Sequence, residues 1–294
     1  MNTLRLIAKK FQYYTGISLR NFRGYKDIFK IKKSATNFYK DSLLLRTMRK
    51  SGSHLFLSSL GNYINLQYNN GSKRLDYPTL KQTIWDDSWC HENKALLNTG
   101  YKSLIFKHDF EAWNRYVLAS KRIINLYRNP FDMCVSLYFY DYKNRNKTEG
   151  NQKRLDQYKG VESPVEFMES FIDRYISSYK ELKHFAKYDS AINYCYEELV
   201  TDTYLVMQNA LEFCDIAVDE ENLNKAILFS SKEMMVKDEC TYGKTYLVGR
   251  DMKSSFIRSG KVGEWKEYFS DQDFSKFADI LFRNGISTDE FILE

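Results

Sequence analysis

A short apolar run, Leu43-Leu44-Leu45, gives way to Arg46-Thr47-Met48-Arg49-Lys50-Ser51-Gly52-Ser53, and an apolar-periodic segment (Leu55, Phe56, Ser59, Leu60, Tyr63, Ile64) follows at once. The pattern predicts a buried strand, a tight loop of small and basic residues, and a helix. At such a junction the first backbone N–H groups of the helix lack intrahelical partners and the helix dipole is positive. The loop therefore offers a seat for an anion, with Lys50 beside it. A plain strand-to-helix turn that happens to carry a lysine would show the same residues. It is not a Walker A loop, because G-x-x-x-x-G-K-[ST] is absent.

The alternation continues along the chain. Residues 101–108, ending in His108, read as a strand, as do 123–127 and 191–196. Helices are predicted at 53–68, from Pro130 onward, from Pro164 through Leu182, near 202–215 and 219–230, and at 271–283. Asn129 precedes Pro130 as an N-cap with proline at the first helical position. Ser163-Pro164-Val165-Glu166 reads as a capping box, and the stripe Met168, Phe171, Ile172, Tyr175, Ile176, Tyr179, Leu182 is core. Strands alternating with helices predict one α/β domain with a mostly parallel sheet covered on both faces. Residues 1–41 read as an N-terminal cover and 143–163 as a polar insertion. Residues 72–100 read as a long aromatic and acidic loop, and 236–263 as a lid loop with few apolar anchors.

Composition narrows the classes of function. At 294 residues and 43% hydrophobic, the chain can bury a large core, and its 23 Tyr and 20 Phe suit an aromatic-lined pocket. A net charge of +6 permits an anionic ligand, while the scattered basic residues form no tail of the kind that binds nucleic acid. The five cysteines (Cys90, Cys134, Cys195, Cys214, Cys240) are odd in number, widely spaced and lack C-x-x-C, which argues against a disulfide framework or a zinc site and fits a reducing cytosol. No apolar run approaches the roughly 18–20 residues that span a bilayer, and the N-terminus is too charged for a signal segment.

Four segments carry a resemblance. Thr47, Lys50, Ser51 and Gly52 match T-Y-P-K-S-G-T-T-W, the 5′-phosphate loop of sulfotransferases, with Ser53 a conservative match and Met48, Arg49, His54 and Leu55 departing from it. Arg128, Asn129, Pro130, Asp132, Val135, Ser136 and Tyr138 match their 3′-phosphate element, Y-x-x-R-N-P-x-D-V-x-V-S-x-Y. Tyr196-Glu197-Glu198-Leu199 resembles the segment whose tyrosine faces the adenine. Arg258, Gly260, Gly263, Trp265, Lys266 and Phe269 match F-x-R-K-G-x-x-G-D-W-K-x-x-F. The chain is thus similar to cytosolic-type sulfotransferases, which use PAPS (3′-phosphoadenosine 5′-phosphosulfate) and release PAP.

The resemblance implies a P-loop-NTPase-like sulfotransferase fold, with 42–142 as the nucleotide-binding core and no metal. Lys50, Ser51, Gly52, Ser53, His54 and Leu55 would hold the 5′-phosphate end, and Arg128 and Ser136 the 3′-phosphate. Tyr196, Ser230, Arg258, Ser259 and Gly260 would complete the donor site. His108 precedes Arg128 by 20 residues, as the family's general base does, so the resemblance assigns it that role and gives Lys50 the leaving phosphate. The family's lysine two residues before the histidine is Phe106 here. Lys107 is adjacent instead, where strand neighbours point to opposite faces. Leu55 stands where the family stacks a tryptophan on adenine. Candidates for an acceptor pocket are Tyr77, Trp85, Trp89, Phe110, Trp113 and Tyr140. The expected acceptor is a small molecule with a hydroxyl or amine. A glycan or glycolipid acceptor, a non-catalytic nucleotide-binding scaffold and a P-loop kinase are the alternatives. The family's dimer motif K-x-x-x-T-V-x-x-x-E is not matched from Lys266, and the oligomeric state stays open.

Overall fold

The computed structural model describes residues 40–83, 94–108, 120–143, 156–185, 188–242 and 258–291. The predicted cover at 1–39 lies outside these residues, as do Trp85, Trp89, Phe110 and Trp113.

The leucine run forms strand β1 (Ser42–Thr47), buried along its whole length. It pairs in parallel with β2 (Ser103–His108) on one side and β3 (Arg122–Tyr127) on the other. β3 in turn pairs in parallel with β4 (Ala191–Cys195), so the order is β2-β1-β3-β4 and all four described strands are parallel. Strands buried on both faces read as continuous apolar runs, which is why β1 and β3 were legible without alternation. The register sets Thr47 opposite both His108 and Leu126, and Tyr127 opposite Cys195, bringing the carboxyl ends of the strands to one edge. From β1 the chain goes to β2 on one flank and then to β3 on the other. In open sheets of this kind ligands bind at the strands' carboxyl ends, where the order reverses.

Helices cover both faces. On one side α1 (Ser53–Tyr68), α2 (Tyr77–Thr83), α5 (Tyr196–Thr201), α6 (Thr203–Phe213) and α7 (Glu220–Phe229) pack a core of Leu43, Leu45, Phe56, Leu60, Ile124, Leu199, Met207 and Leu223. On the other, α3 (Pro130–Leu137), α4 (Pro164–Phe185) and α9 (Asp271–Arg283) enclose Phe131, Met168, Tyr175, Tyr179, Phe277 and Leu281. The predicted stripe of α4 is core from Met168 to Leu182. Of the predicted capping box one half is present, the Glu166 amide donating to Ser163 Oγ at 3.2 Å, while the Glu166 carboxylate accepts instead from the amide of Glu162, one residue before the cap, at 2.7 Å.

The structure differs from the sequence reading in three places. The stretch expected as a lid loop begins as a helix, α8 (Lys232–Tyr242), so residues 236–242 are helical, and 258–263 are the rest of that stretch within the described residues. The helix escaped notice because Met235 is its one buried apolar side chain. Residues 72–100 are not structureless, for they hold α2 and a 3₁₀ turn, Lys94–Thr99. Within the polar insertion, Tyr158 and Val161 pack against the second core.

Candidate functional site

The loop after β1 closes through two left-handed residues, Lys50 (φ 66°) and Gly52 (φ 82°). Gly52 is the N-cap of α1. Among the described residues no side chain caps that helix, and its first turn carries no carboxylate. The amides there keep the character of an anion seat. A Cβ on Gly52 would lie 2.7 Å from Cδ2 of Tyr196, so glycine is required both for backbone conformation and for room. The Met48 amide donates to the Leu126 carbonyl at 2.8 Å, and Ser51 Oγ donates to the same carbonyl at 3.2 Å and to that of Met48. The Ser51 hydroxyl is therefore turned inward, leaving its backbone N–H as the group it can offer a ligand. Leu55 packs against the first core, and Lys50 Nζ lies 4.5 Å from the centre of the Tyr140 ring, with Arg49 on the same ring at 5.6 Å.

Arg128, at the end of β3, is the hub. It is 5% exposed, and its guanidinium lies 4.1 Å from the centre of the Tyr196 ring. Its Nη1 donates to the Lys50 carbonyl and its Nη2 to the Lys261 carbonyl, each at 3.1 Å, tying the β1–α1 loop to the segment at 258–263. Asp132 at 3.9 Å and Glu197 at 4.0 Å balance the charge from beyond hydrogen-bond range. Nε is buried with no hydrogen-bond partner among the described residues. A buried donor left in this way is a costly group whose need an anion would meet.

The surroundings hold Arg128 in place. Asn129 caps α3, accepting from the Phe131 amide at 2.9 Å, while its own amide donates to both Glu197 oxygens at 3.2 and 3.3 Å. Tyr175 donates to the Arg128 carbonyl at 2.9 Å. Asp132 accepts from the amides of Gly263 (2.7 Å) and Trp265 (3.0 Å). Tyr196 Oη donates to the Gly260 carbonyl at 3.0 Å, and Lys232 Nζ to that of Ser259 at 2.5 Å. What anchors 258–263 is thus polar, not apolar. Arg258 forks onto Glu264, Nη2 to Oε2 at 2.7 Å, and sits over the Phe139 ring at 4.6 Å. Burial holds the Glu197 carboxyl above its usual value, partly offset by the hydrogen bond from Cys195 and the attraction of Arg128.

The structure thus brings Lys50, Gly52, Arg128, Tyr196, Ser259 and Gly260 to one crevice. Ser136 is half-buried on α3. Ser230 is fully buried and donates to the Ala226 carbonyl at 2.8 Å, so its hydroxyl is committed to its own helix. His108 is the last residue of β2, at the level of Thr47. Tyr77 is 4% exposed with its ring 4.6 Å from that of His54. The residues that sequence reasoning left without a role are Asp132, Tyr175, Glu197 and Lys232. For Asp132 a signal existed, since it stands in the same matched segment as Arg128, in the first turn of the helix that Asn129 caps. Among the described residues no cluster of His, Cys, Asp and Glu could hold a metal, and no helix is long and apolar enough to cross a membrane.

A parallel sheet with an uncapped helix N-terminus after one of its central strands and a buried arginine at the next strand's end defines an α/β protein with a candidate anion site at the carboxyl ends of its strands. Residues 40–284 match the sulfotransferase domain family, and the chain belongs to it. Sulfotransferase 1B1 of Canis lupus familiaris is 30% identical over 175 residues, covering 56% of this chain and 55% of that protein, so the match spans about half the relative's length. The same fold occurs in mouse sulfotransferase SULT7A1 complexed with PAP, with a TM-score of 0.60 at 16% identity over 88% of this chain and 89% of that one. Retinol dehydratase in complex with androsterone and inactive cofactor PAP aligns with a TM-score of 0.55 at 16% identity, over 86% and 84% of the two chains.

Proposed function

We propose that this chain transfers a sulfuryl group from PAPS to a hydroxyl or amine of a small-molecule acceptor. The observation that carries the reading is Arg128, a buried cation with an unmatched Nε, tied to the loop in front of an uncapped helix. One anion at Arg128 and another at the N-terminus of α1 are what a 3′,5′-bisphosphorylated nucleotide supplies, and two proteins of this fold are described with PAP. Androsterone in the second supports a small hydroxyl-bearing acceptor.

In the proposed reaction the acceptor oxygen or nitrogen attacks sulfur in line, a bond to sulfur forms, and the bond from sulfur to the 5′-phosphate oxygen breaks. His108 takes the acceptor's proton, a task suited to imidazole near neutral pH. Lys50 and the first amides of α1 stabilise the charge that builds on the leaving phosphate. Arg128, Arg258 and the backbone at Ser259 and Gly260 hold the 3′-phosphate, with Tyr196 against the base. The residues call for no metal in any of these steps, and we place the reaction in the cytoplasm.

The test is thermal stabilisation by PAP, with ATP and AMP as controls, on wild type and Arg128→Ala. A ligand at 100 times its Kd adds about 2.7 kcal/mol to folding stability. Stabilisation by PAP alone, lost in the variant, is expected, followed by labelled transfer from PAPS to a panel of phenols, steroids and amines. An equal response to ATP would sink the donor assignment.

A further inference from the structure

Helix α8 has an unusual basis for its position. Of its 11 residues only Met235, Asp238 and Glu239 are buried, and Val236 and Tyr242 face solvent. One methionine is too little apolar surface to fix a helix of three turns. The charge pair at Asp238 supplies the rest. Arg74 Nη1 and Nη2 donate to its two carboxylate oxygens at 2.7 and 2.5 Å, an end-on fork with the partners 17% and 5% exposed. The same guanidinium donates from Nε to the Phe229 carbonyl (2.7 Å) at the end of α7, and from Nη2 to the Met234 carbonyl (3.3 Å) in α8. One side chain therefore pins both sides of the α7–α8 corner. A second tie runs from Tyr242 Oη to Asp76 at 2.6 Å, and the Tyr77 amide donates to Asp238 at 3.4 Å.

We infer that Arg74 and Asp238 are positioning residues for the nucleotide crevice, acting through the α7–α8 corner. The corner carries Lys232, whose ammonium holds the Ser259 carbonyl, in the segment whose next two carbonyls are held by Tyr196 and Arg128. At the other end of the clamp, the Tyr77 ring lies against His54 in the first turn of α1. The pair touches neither Lys50 nor Arg128, yet it joins the two segments that flank them. This inference rests on the nucleotide reading above and names residues that no phosphate-binding motif contains.

The test is PAP affinity by calorimetry, well below each unfolding temperature, for wild type, Asp238→Asn, Arg74→Ala, the double variant and Lys232→Met. Asp238→Asn keeps the side chain's shape while breaking the ion pair, and Lys232 is exposed, so Lys232→Met probes the route with the least threat to folding. Each single change is expected to weaken PAP binding by about tenfold or more. The double variant should be no weaker than the worse single, because the two residues act as a unit. Hydrogen exchange at 258–263 should rise in Asp238→Asn and Lys232→Met alike. A purely structural pair would lower the unfolding temperature and leave PAP affinity intact, and that result overturns the inference while the nucleotide reading stands. If wild type itself does not bind PAP, the nucleotide reading falls and the inference with it.

Discussion

Replacing Gly52 with alanine tests the site at its tightest point. The residue sits at φ 82°, where an L side chain is strained by about 1–2 kcal/mol. The new methyl would also lie 2.7 Å from Tyr196 Cδ2 and 3.1 Å from Leu199 Cδ2. Both neighbours belong to the buried wall of α5, so relief requires a shift of the kind that overpacked cores show, at about 1–3 kcal/mol. The sum is a loss of roughly 2–5 kcal/mol, which at about 2–4 °C per kcal/mol for a domain of this size lowers the unfolding temperature by roughly 4–20 °C.

Gly285 provides the control. It adopts nearly the same conformation (φ 76°) after α9, but a Cβ there meets nothing within 4 Å. Gly285→Ala should show the backbone strain alone. The difference between the two variants then reads the clash with Tyr196. Since Tyr196 lies under the Arg128 guanidinium and holds the Gly260 carbonyl, Gly52→Ala should weaken PAP binding as well, while Gly285→Ala should not. Scanning calorimetry and PAP titration measure both effects. Equal destabilisation by the two substitutions, with PAP affinity unchanged in both, would refute the claim that Tyr196 is seated by the loop.

Other consequences are narrower. Glu197 is held above its usual carboxyl value of 4.5 by burial, so the folded state binds this proton more tightly than the unfolded chain does, and stability falls as pH rises from about 4.5 through the raised value. Glu197→Gln removes that fall: relative to wild type the variant gains stability between pH 4 and 7, and a flat difference in denaturant midpoints would contradict it. Asn129→Ala deletes the cap of α3 and should lower stability by about 0.5–2 kcal/mol, read by urea unfolding.

Much of this was legible from residue patterns, for identifiable reasons. Leu43-Leu44-Leu45 and Ile123-Ile124 form strands buried on both faces, which leave a continuous apolar signature, and α4 carries a strong helical stripe. Asn129-Pro130 and Ser163-Pro164 mark helix starts because their side chains satisfy backbone groups that any helix leaves open. The helix α8 was not legible, because a charge pair between residues 164 positions apart holds it, and no local pattern encodes such a partner. The serines show the same limit from the other side. The resemblance makes Ser51 a 5′-phosphate contact and Ser230 a nucleotide contact, but their hydroxyls turn to backbone carbonyls, a choice made by packing.

The two arginines of the crevice are balanced in different ways, and the difference bears on how an anion would be taken. A guanidinium buried as deeply as Arg128 needs nearby negative charge to stay in the fold at all. Asp132 and Glu197 provide it at 3.9 and 4.0 Å, close enough to stabilise the charge and too far to occupy the donors. Asp132 spends its hydrogen-bonding capacity on the amides of Gly263 and Trp265, and Glu197 on the amide of Asn129. Arg128 therefore keeps Nε available while remaining electrostatically compensated. Arg258 is instead forked directly onto Glu264, so a phosphate must compete with a carboxylate for the same N–H groups. Arg128 is thus the residue prepared for an anion in advance, and Arg258 the one whose contribution depends on rearrangement. Removing Arg128 should accordingly abolish PAP binding, whereas Arg258→Ala should leave a weakened but measurable affinity, and the reverse order in a titration would show that the geometry of these ion pairs does not govern recruitment.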